Sequence, residues 1–270
     1  MLDARGPYEN LFNYLTGYPL YFATMLYYLC ACLISPGKPF ENWDAYCKDS
    51  SRRWCEDCKV FKPERTFHCT RCGLCVVKRD HHCDFTNQCV GYNNHKAFLL
   101  FLVFATLGNT HYILRSLQWL FNWYFGHYEV LKAYSVVYAV GYAIHLYIML
   151  SLWLFLVNLN LRNWPNLFLN LTWLDSYRMI IRPSTFKVYD DPPNLYNLGP
   201  YANFVQTFGT NPLSWFWPLP PKHKSLSLAP ELEKIPTEVE QNQASEKFEV
   251  NPNYYRYLVA TGKILYVKFR

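Results

Sequence analysis

Residues 54–98 read WCEDCKVFKPERTFHCTRCGLCVVKRDHHCDFTNQCVGYNNHKAF, and they hold seven of the chain's ten cysteines. Cys55-x2-Cys58 and Cys69-x2-Cys72 are knuckles, pairs of thiolates three residues apart that grip one tetrahedral zinc ion from a tight turn. His68, Cys75, His82 and Cys89 lie within reach of them along the chain. A disulfide framework fits poorly, because seven is odd and thiols facing the cytosol stay reduced. Two Cys3His sites need six cysteines and two histidines, which leaves one cysteine over. A single site would strand several thiolates in a short charged loop, so two sites are the better reading. A spare cysteine beside histidines and an aspartate suits covalent catalysis, since a neighbouring imidazole lowers a thiol's pKa. Counting alone does not say which cysteine it is.

Outside this block, three long apolar stretches lack Asp, Glu, Lys and Arg: residues 10–37, 97–114 and 133–161. About 20 apolar residues cross a bilayer, so all three are predicted transmembrane helices. Tyr14, Tyr18, Trp119, Trp123, Tyr124 and Trp164 crowd their ends, as interfacial aromatic belts do. The first stretch is long, aromatic and preceded by Asp3 and Glu9, which argues against a cleaved signal peptide. Pro165 is expected to stop the third span, with the apolar patch 166–174 lying on the membrane surface. Of the 26 Lys and Arg residues, 23 fall in 38–96 and 162–270, which places both segments on the cytosolic side.

Composition agrees. Hydrophobic residues make up 51% and aromatics 19%, while charged residues make up 17% against about 25% in a typical soluble domain. A mean hydropathy of -0.11 looks ordinary only because polar and apolar residues are segregated along the chain. The net charge of +6 suits an anionic membrane surface or a polyphosphate ligand and is too diffuse for nucleic acid. The expected architecture is an α-helical integral membrane protein with three transmembrane helices and a cytosolic two-zinc domain between the first and second. Its divisions are an N-terminal segment with the first span (1–37), the Cys-rich zinc domain (38–96) and two spans with a short lumenal loop (97–165). A membrane-proximal cytosolic segment (166–220), a flexible tether (221–249) and a possible C-terminal hairpin (250–270) follow. No internal repeat is visible.

The block resembles the DHHC-type palmitoyltransferases. The matching pieces are Cys55-x2-Cys58, Lys62-Pro63-x-Arg65, His68-Cys69-x2-Cys72-x2-Cys75, Asp80-His81-His82-Cys83, Cys89-Val90-Gly91 with Asn94, and Phe98 entering the next span. The resemblance implies interleaved structural zinc sites, with Cys55, Cys58, His68 and Cys75 holding one ion and Cys69, Cys72, His82 and Cys89 the other. It implies Cys83 as the acyl-accepting nucleophile, His81 as its base and Asp80 as the group orienting His81. In extended backbone residues two apart point the same way, so His81 and Cys83 can meet while His82 turns to zinc. Palmitoyl-CoA or another long-chain acyl-CoA is the implied donor, and cytosolic-face cysteines of membrane-associated proteins are the acceptors. Arg65, Arg71, Lys78 and Arg79 are candidates to receive the CoA phosphates. The implied location is the endomembrane system: Golgi, endoplasmic reticulum or plasma membrane.

The sequence departs from the family in three places. Asp84-Phe85 replaces the usual Pro-Trp, and a carboxylate beside the nucleophile disfavours its thiolate. The family's Thr-Thr-x-Glu motif is reduced to Thr172-Trp173-Leu174-Asp175, although Asn203 and Phe208-Gly209 keep a later aromatic motif. Most members place two spans before the Cys block, and one is found here. The alternative function is a catalytically weak or inactive membrane zinc scaffold of the same family. Gly108, in the second span, marks close helix packing or an acyl cavity, with packing the better reading.

Overall fold

The computed structural model describes residues 7–39, 54–62, 65–126, 136–176 and 196–220. The expected tether and C-terminal hairpin lie outside the described residues. The chain divides into two compact units, 1–34 with 96–164 and 35–95 with 165–270.

The first unit is helical, built from α1 (Pro7–Leu33), α2 (His95–Gly126) and most of α3 (Val136–Phe168). Among the described residues two stretches, His95–Phe121 and Ala139–Phe168, are long and apolar enough to cross a membrane. Both fit a membrane protein. α1 has the length, but six tyrosines among its 27 residues lower its hydropathy, and it is not one of the two.

Polar side chains tie these helices together from within. Asn160 Nδ2 donates to Leu102 O at 3.1 Å and to Thr106 Oγ1 at 2.9 Å. About two and three turns from Asn160 along α3, Trp153 Nε1 reaches Thr110 Oγ1 at 2.8 Å and Asn109 Nδ2 reaches Met149 O at 3.2 Å. Thr16 and His111 join α1 to α2 at 2.9 Å. A Cβ on Gly108 would sit 3.6 Å from Thr24 Oγ1 and 4.0 Å from Leu20 Cβ, ordinary contact with α1, so Gly108 is a packing position.

Pro165 does not stop α3. It lies inside the helix, which runs on to Phe168 because a proline near the end forfeits few backbone hydrogen bonds. The stop is Asn170, left-handed at φ 50°. Its N–H bonds Leu167 O at 3.0 Å and that of Leu171 bonds Asn166 O at 2.8 Å, the paired closure of a Schellman motif.

The second unit contains three antiparallel hairpins: β1 (Trp54–Cys55) with β2 (Val60–Phe61), β3 (Phe67–Cys69) with β4 (Leu74–Val76), and β5 (His81–Cys83) with β6 (Gln88–Val90). They repeat one pattern every 14 residues. Cys55 pairs with Val60, Cys69 with Leu74 and Cys83 with Gln88. Each four-residue turn ends on a left-handed residue: Lys59 at φ 54°, Gly73 at 65° and Asn87 at 52°. The sequence hides this repeat because the equivalent turn residues share a backbone shape rather than a chemistry. Gly91 closes the array; a Cβ there would lie 2.5 Å from Val76 Cγ1 and 2.7 Å from Pro36 O.

Beyond α3, α4 (Pro200–Phe208) is held by buried Asn203. Its Nδ2 donates to Phe168 O and Asn197 Oδ1, both at 2.7 Å, and its Oδ1 accepts from Leu198 N at 3.0 Å. Phe204 stacks on Phe208 and meets Trp215 edge-on.

The helix ladder gives a direct prediction. Asn160→Leu, which removes two interhelical hydrogen bonds without adding polar surface, should destabilise the protein in detergent by about 1 kcal/mol. Chemical unfolding followed by tryptophan fluorescence checks it.

Candidate active site

Strands of two or three residues bury little, so the hairpins need another source of cohesion, and they bring two donor sets together. Cys55, Cys58, His68 and Cys75 form one and Cys69, Cys72, His82 and Cys89 the other; within each, the donor atoms all lie within 4.8 Å of one another. Each set takes two cysteines from one knuckle turn and a histidine and a cysteine from the next hairpin, so coordination would staple hairpin to hairpin. In the first set His68 Nδ1 lies 3.6 Å from Cys55 Sγ and 3.2 Å from Cys58 Sγ. In the second, His82 Nδ1 lies 3.6, 3.3 and 3.9 Å from the sulfurs of Cys69, Cys72 and Cys89, and the last two sulfurs are 3.7 Å apart. Tetrahedral zinc with ordinary bond lengths needs N···S separations of about 3.5 Å and S···S separations of about 3.8 Å. The residues fit such an ion at both places.

The histidines offer Nδ1 inward, which leaves each Nε2 for an outer partner. His68 Nε2 is 3.6 Å from Asp57 and His82 Nε2 is 3.9 Å from Asp84. Outer carboxylates of this kind orient metal-binding imidazoles.

Cys83 belongs to neither set. It is buried at the end of β5, and its sulfur takes hydrogen bonds from His81 and from both the backbone N–H and the hydroxyl of Thr86. His81 Nδ1 meets Asp80 Oδ2 at 2.8 Å, and Asp80 Oδ1 accepts the Trp173 N–H at 2.6 Å. Burial works against a charged imidazolium, but the bonds to Asp80 and Cys83 prevail and push His81 up to about 9. Burial likewise works against the Cys83 thiolate, and the bonds from His81 and Thr86 bring that thiol below its ordinary value. Asp80 is held below the usual carboxylate range by His81 despite its burial. Along the line Asp80–His81–Cys83 the carboxylate and the imidazolium are favoured, and the thiol is shifted toward its thiolate.

Two features were undervalued by sequence reasoning. Thr172 and Asp175 form a reciprocal capping box, with Thr172 N–H on Asp175 Oδ2 at 2.9 Å and Asp175 N–H on Thr172 Oγ1 at 3.2 Å. The T-x-x-D spacing was the available signal, and this cap presents the Trp173 N–H to Asp80. Thr86 carried no signal at all.

Three of the four basic candidates make hydrogen bonds within the chain. Arg65 is buried, with Nη1 on Asn170 Oδ1 at 3.0 Å and Nη2 on Asn170 O at 3.0 Å and on Asp175 Oδ2 at 2.7 Å. Its guanidinium also stacks on Tyr196. Arg79 Nη1 donates to His68 O at 3.2 Å. Lys78 is partly buried beside Arg65, and burial and that charge lower it to about 7 against the pull of Asp80 and Asp175. Arg71 Nη1 is hydrogen-bonded to Asp84 Oδ1, so the carboxylate next to Cys83 has a cation of its own.

Comparison with known proteins agrees with this geometry. The family model described as DHHC palmitoyltransferase matches residues 48–180. Residues 48–180 therefore carry that family's domain. A palmitoyltransferase ZDHHC15 of Xenopus laevis is 31% identical over 174 residues, covering 62% of this chain and 46% of the relative. A probable protein S-acyltransferase 13 of Arabidopsis thaliana is 34% identical over 174 residues, covering 62% of this chain and 52% of the relative. Over a shorter stretch of 55 residues, palmitoyltransferase PFA3 of Eremothecium gossypii is 53% identical, covering 20% of this chain and 17% of the relative. The chain thus spans about half the length of the first two relatives.

Arg65 yields a prediction. Arg65→Gln leaves the Asp175 carboxylate without its buried cation and should destabilise the Cys-rich unit by about 3 kcal/mol. Limited proteolysis between residues 65 and 95 during a thermal ramp reads that loss.

Proposed function

We propose that this chain is a membrane-embedded protein S-acyltransferase that moves a long-chain acyl group from acyl-CoA, through a thioester on Cys83, to cysteines of membrane-associated proteins. The observation that carries the reading is the Asp80–His81–Cys83 line, set among two complete donor sets that have no use for any of its three residues. Zinc held at those sets by Cys55, Cys58, His68 and Cys75 and by Cys69, Cys72, His82 and Cys89 would supply structure rather than chemistry, stapling the hairpins together.

The chemistry is two thioester exchanges. Cys83 thiolate attacks the thioester carbonyl of acyl-CoA; the carbon–sulfur bond to CoA breaks, and the CoA thiolate leaves with the proton held on His81. An acceptor cysteine then gives its proton to His81 and attacks the acyl carbon, and Cys83 departs as thiolate. Each exchange is nearly isoenergetic, so the protein's contribution is positioning and a thiol shifted toward its thiolate. Asp80 fixes the imidazole, and the Thr172–Asp175 cap fixes Asp80 through Trp173.

Arg65 has both ends of its guanidinium engaged inside the domain, so contact with the CoA phosphates is left to Arg71, Lys78 and Arg79. The acyl tail requires a bilayer nearby, and α2 begins five residues after β6. In the full reading α1 is a third span and the Cys-rich unit faces the cytosol from an endomembrane. Basic residues concentrated in 38–96 and 162–270 support that side.

The test is incubation of purified full chain with labelled palmitoyl-CoA. Wild type should take up a hydroxylamine-sensitive label and Cys83→Ser none, with zinc unchanged at about two ions per chain in both. Equal labelling of the two forms sinks the nucleophile assignment, and zinc loss in Cys83→Ser means another cysteine is the free one.

A further inference from the structure

The 14-residue repeat places Cys83 where the first two hairpins place a zinc-type ligand. In those hairpins the first cysteine of the knuckle accepts backbone hydrogen bonds inside its turn: Cys55 from Asp57 and Cys58, and Cys69 from Arg71 and Cys72. Cys83 accepts the same bond from Thr86, three residues on. The strand register and the left-handed fourth turn residue are also the same. What differs is the donor set. Thr86 stands where Cys58 and Cys72 stand, and one period beyond His82 and Cys89 lie Lys96 and Val103, inside α2 rather than in a fourth hairpin.

We propose that the Cys83 turn is a third metal knuckle emptied of its metal-binding role, in which Thr86 replaces the second thiolate and acts as a hydroxyl donor to the Cys83 sulfur. The knuckle fold already presents a cysteine sulfur to inward N–H groups, which is what a nucleophilic thiolate needs. A second cysteine at position 86 would recreate the C-x2-C grip and let metal compete with the acyl donor for Cys83. A hydroxyl binds zinc poorly yet still donates. Thr86 is buried, and its Oγ1 also lies 3.4 Å from Cys83 O and 3.4 Å from Gln88 O. Its single proton can therefore serve the sulfur while that is anionic and the carbonyls once the sulfur is acylated. Thr86 touches the reacting atom, which makes it a catalytic residue on this reading.

This inference rests on Cys83 being the nucleophile, and the experiment separates the two. Full-length Thr86→Val, Thr86→Ser and Thr86→Cys are purified with the wild type, and zinc content and the rate of acyl-enzyme formation from palmitoyl-CoA are measured. Thr86→Val should keep about two zinc ions and form acyl-enzyme roughly tenfold more slowly or worse, the loss of one charge-assisted hydrogen bond. Thr86→Ser keeps the hydroxyl and should run near the wild-type rate; a slow Thr86→Ser overturns the donor role, as does a fast, zinc-replete Thr86→Val. Thr86→Cys should bind additional zinc that is lost in Cys83→Ser/Thr86→Cys, and no additional zinc overturns the repeat. Should the wild type itself take no acyl group, the reaction falls while the zinc measurement still decides the repeat.

Discussion

The Cys-rich unit depends on the interleaving of donor sets between consecutive hairpins. Each knuckle turn supplies two sulfurs and the next hairpin supplies an imidazole and a third sulfur, so neither hairpin completes a site alone. Strands of two and three residues could not hold this arrangement by burial. Coordination worth roughly 10 kcal/mol or more per structural zinc ion could hold it, and it would make folding and metal loading one event. The Asp80–His81–Cys83 line inherits its geometry from that scaffold: His82 turns to one side of β5, while His81 and Cys83 turn to the other.

A series of hydrogen bonds running from Asn170 to Trp173 fixes the acid end of the line. Asn170 ends α3 in a left-handed conformation and gathers Arg65, Tyr196 O and Gln206 with one side chain. Arg65 carries that order to Asp175, Asp175 caps the turn at Thr172, and the cap aims Trp173 N–H at Asp80. A buried ion pair contributes little net stability, but breaking one is costly, so this chain of contacts is better understood as fixing a geometry. Asp84, which would repel the thiolate if left alone, is paired with Arg71 at the surface, where such pairs are weak but still neutralise a neighbour.

Much of this was legible in the cysteine spacing. Two C-x2-C pairs, two histidines and a surplus cysteine announce two tetrahedral sites and a free thiol, because ligand chemistry leaves few alternatives. The apolar runs announced helices, and α2 and α3 have the expected character. The misses share a cause: each depends on backbone conformation rather than on side-chain type. Pro165 reads as a stop, yet Asn170 is the stop because it accepts φ > 0. The three hairpins look unrelated because Lys59, Gly73 and Asn87 reach one conformation from three chemistries. Arg65 reads as a solvent-facing charge because the partners that bury it, Asn170 and Asp175, stand more than a hundred residues away.

The central claim is that one cysteine of seven is chemically available and carries the acyl group. Peptide mapping by mass spectrometry, on zinc-loaded protein stopped shortly after mixing with palmitoyl-CoA, reads this residue by residue. The account predicts the acyl group on Cys83, with Cys55, Cys58, Cys69, Cys72, Cys75 and Cys89 shielded from alkylation until a chelator is added. An acyl group on any of those six, or alkylation of them in zinc-loaded protein, would contradict it.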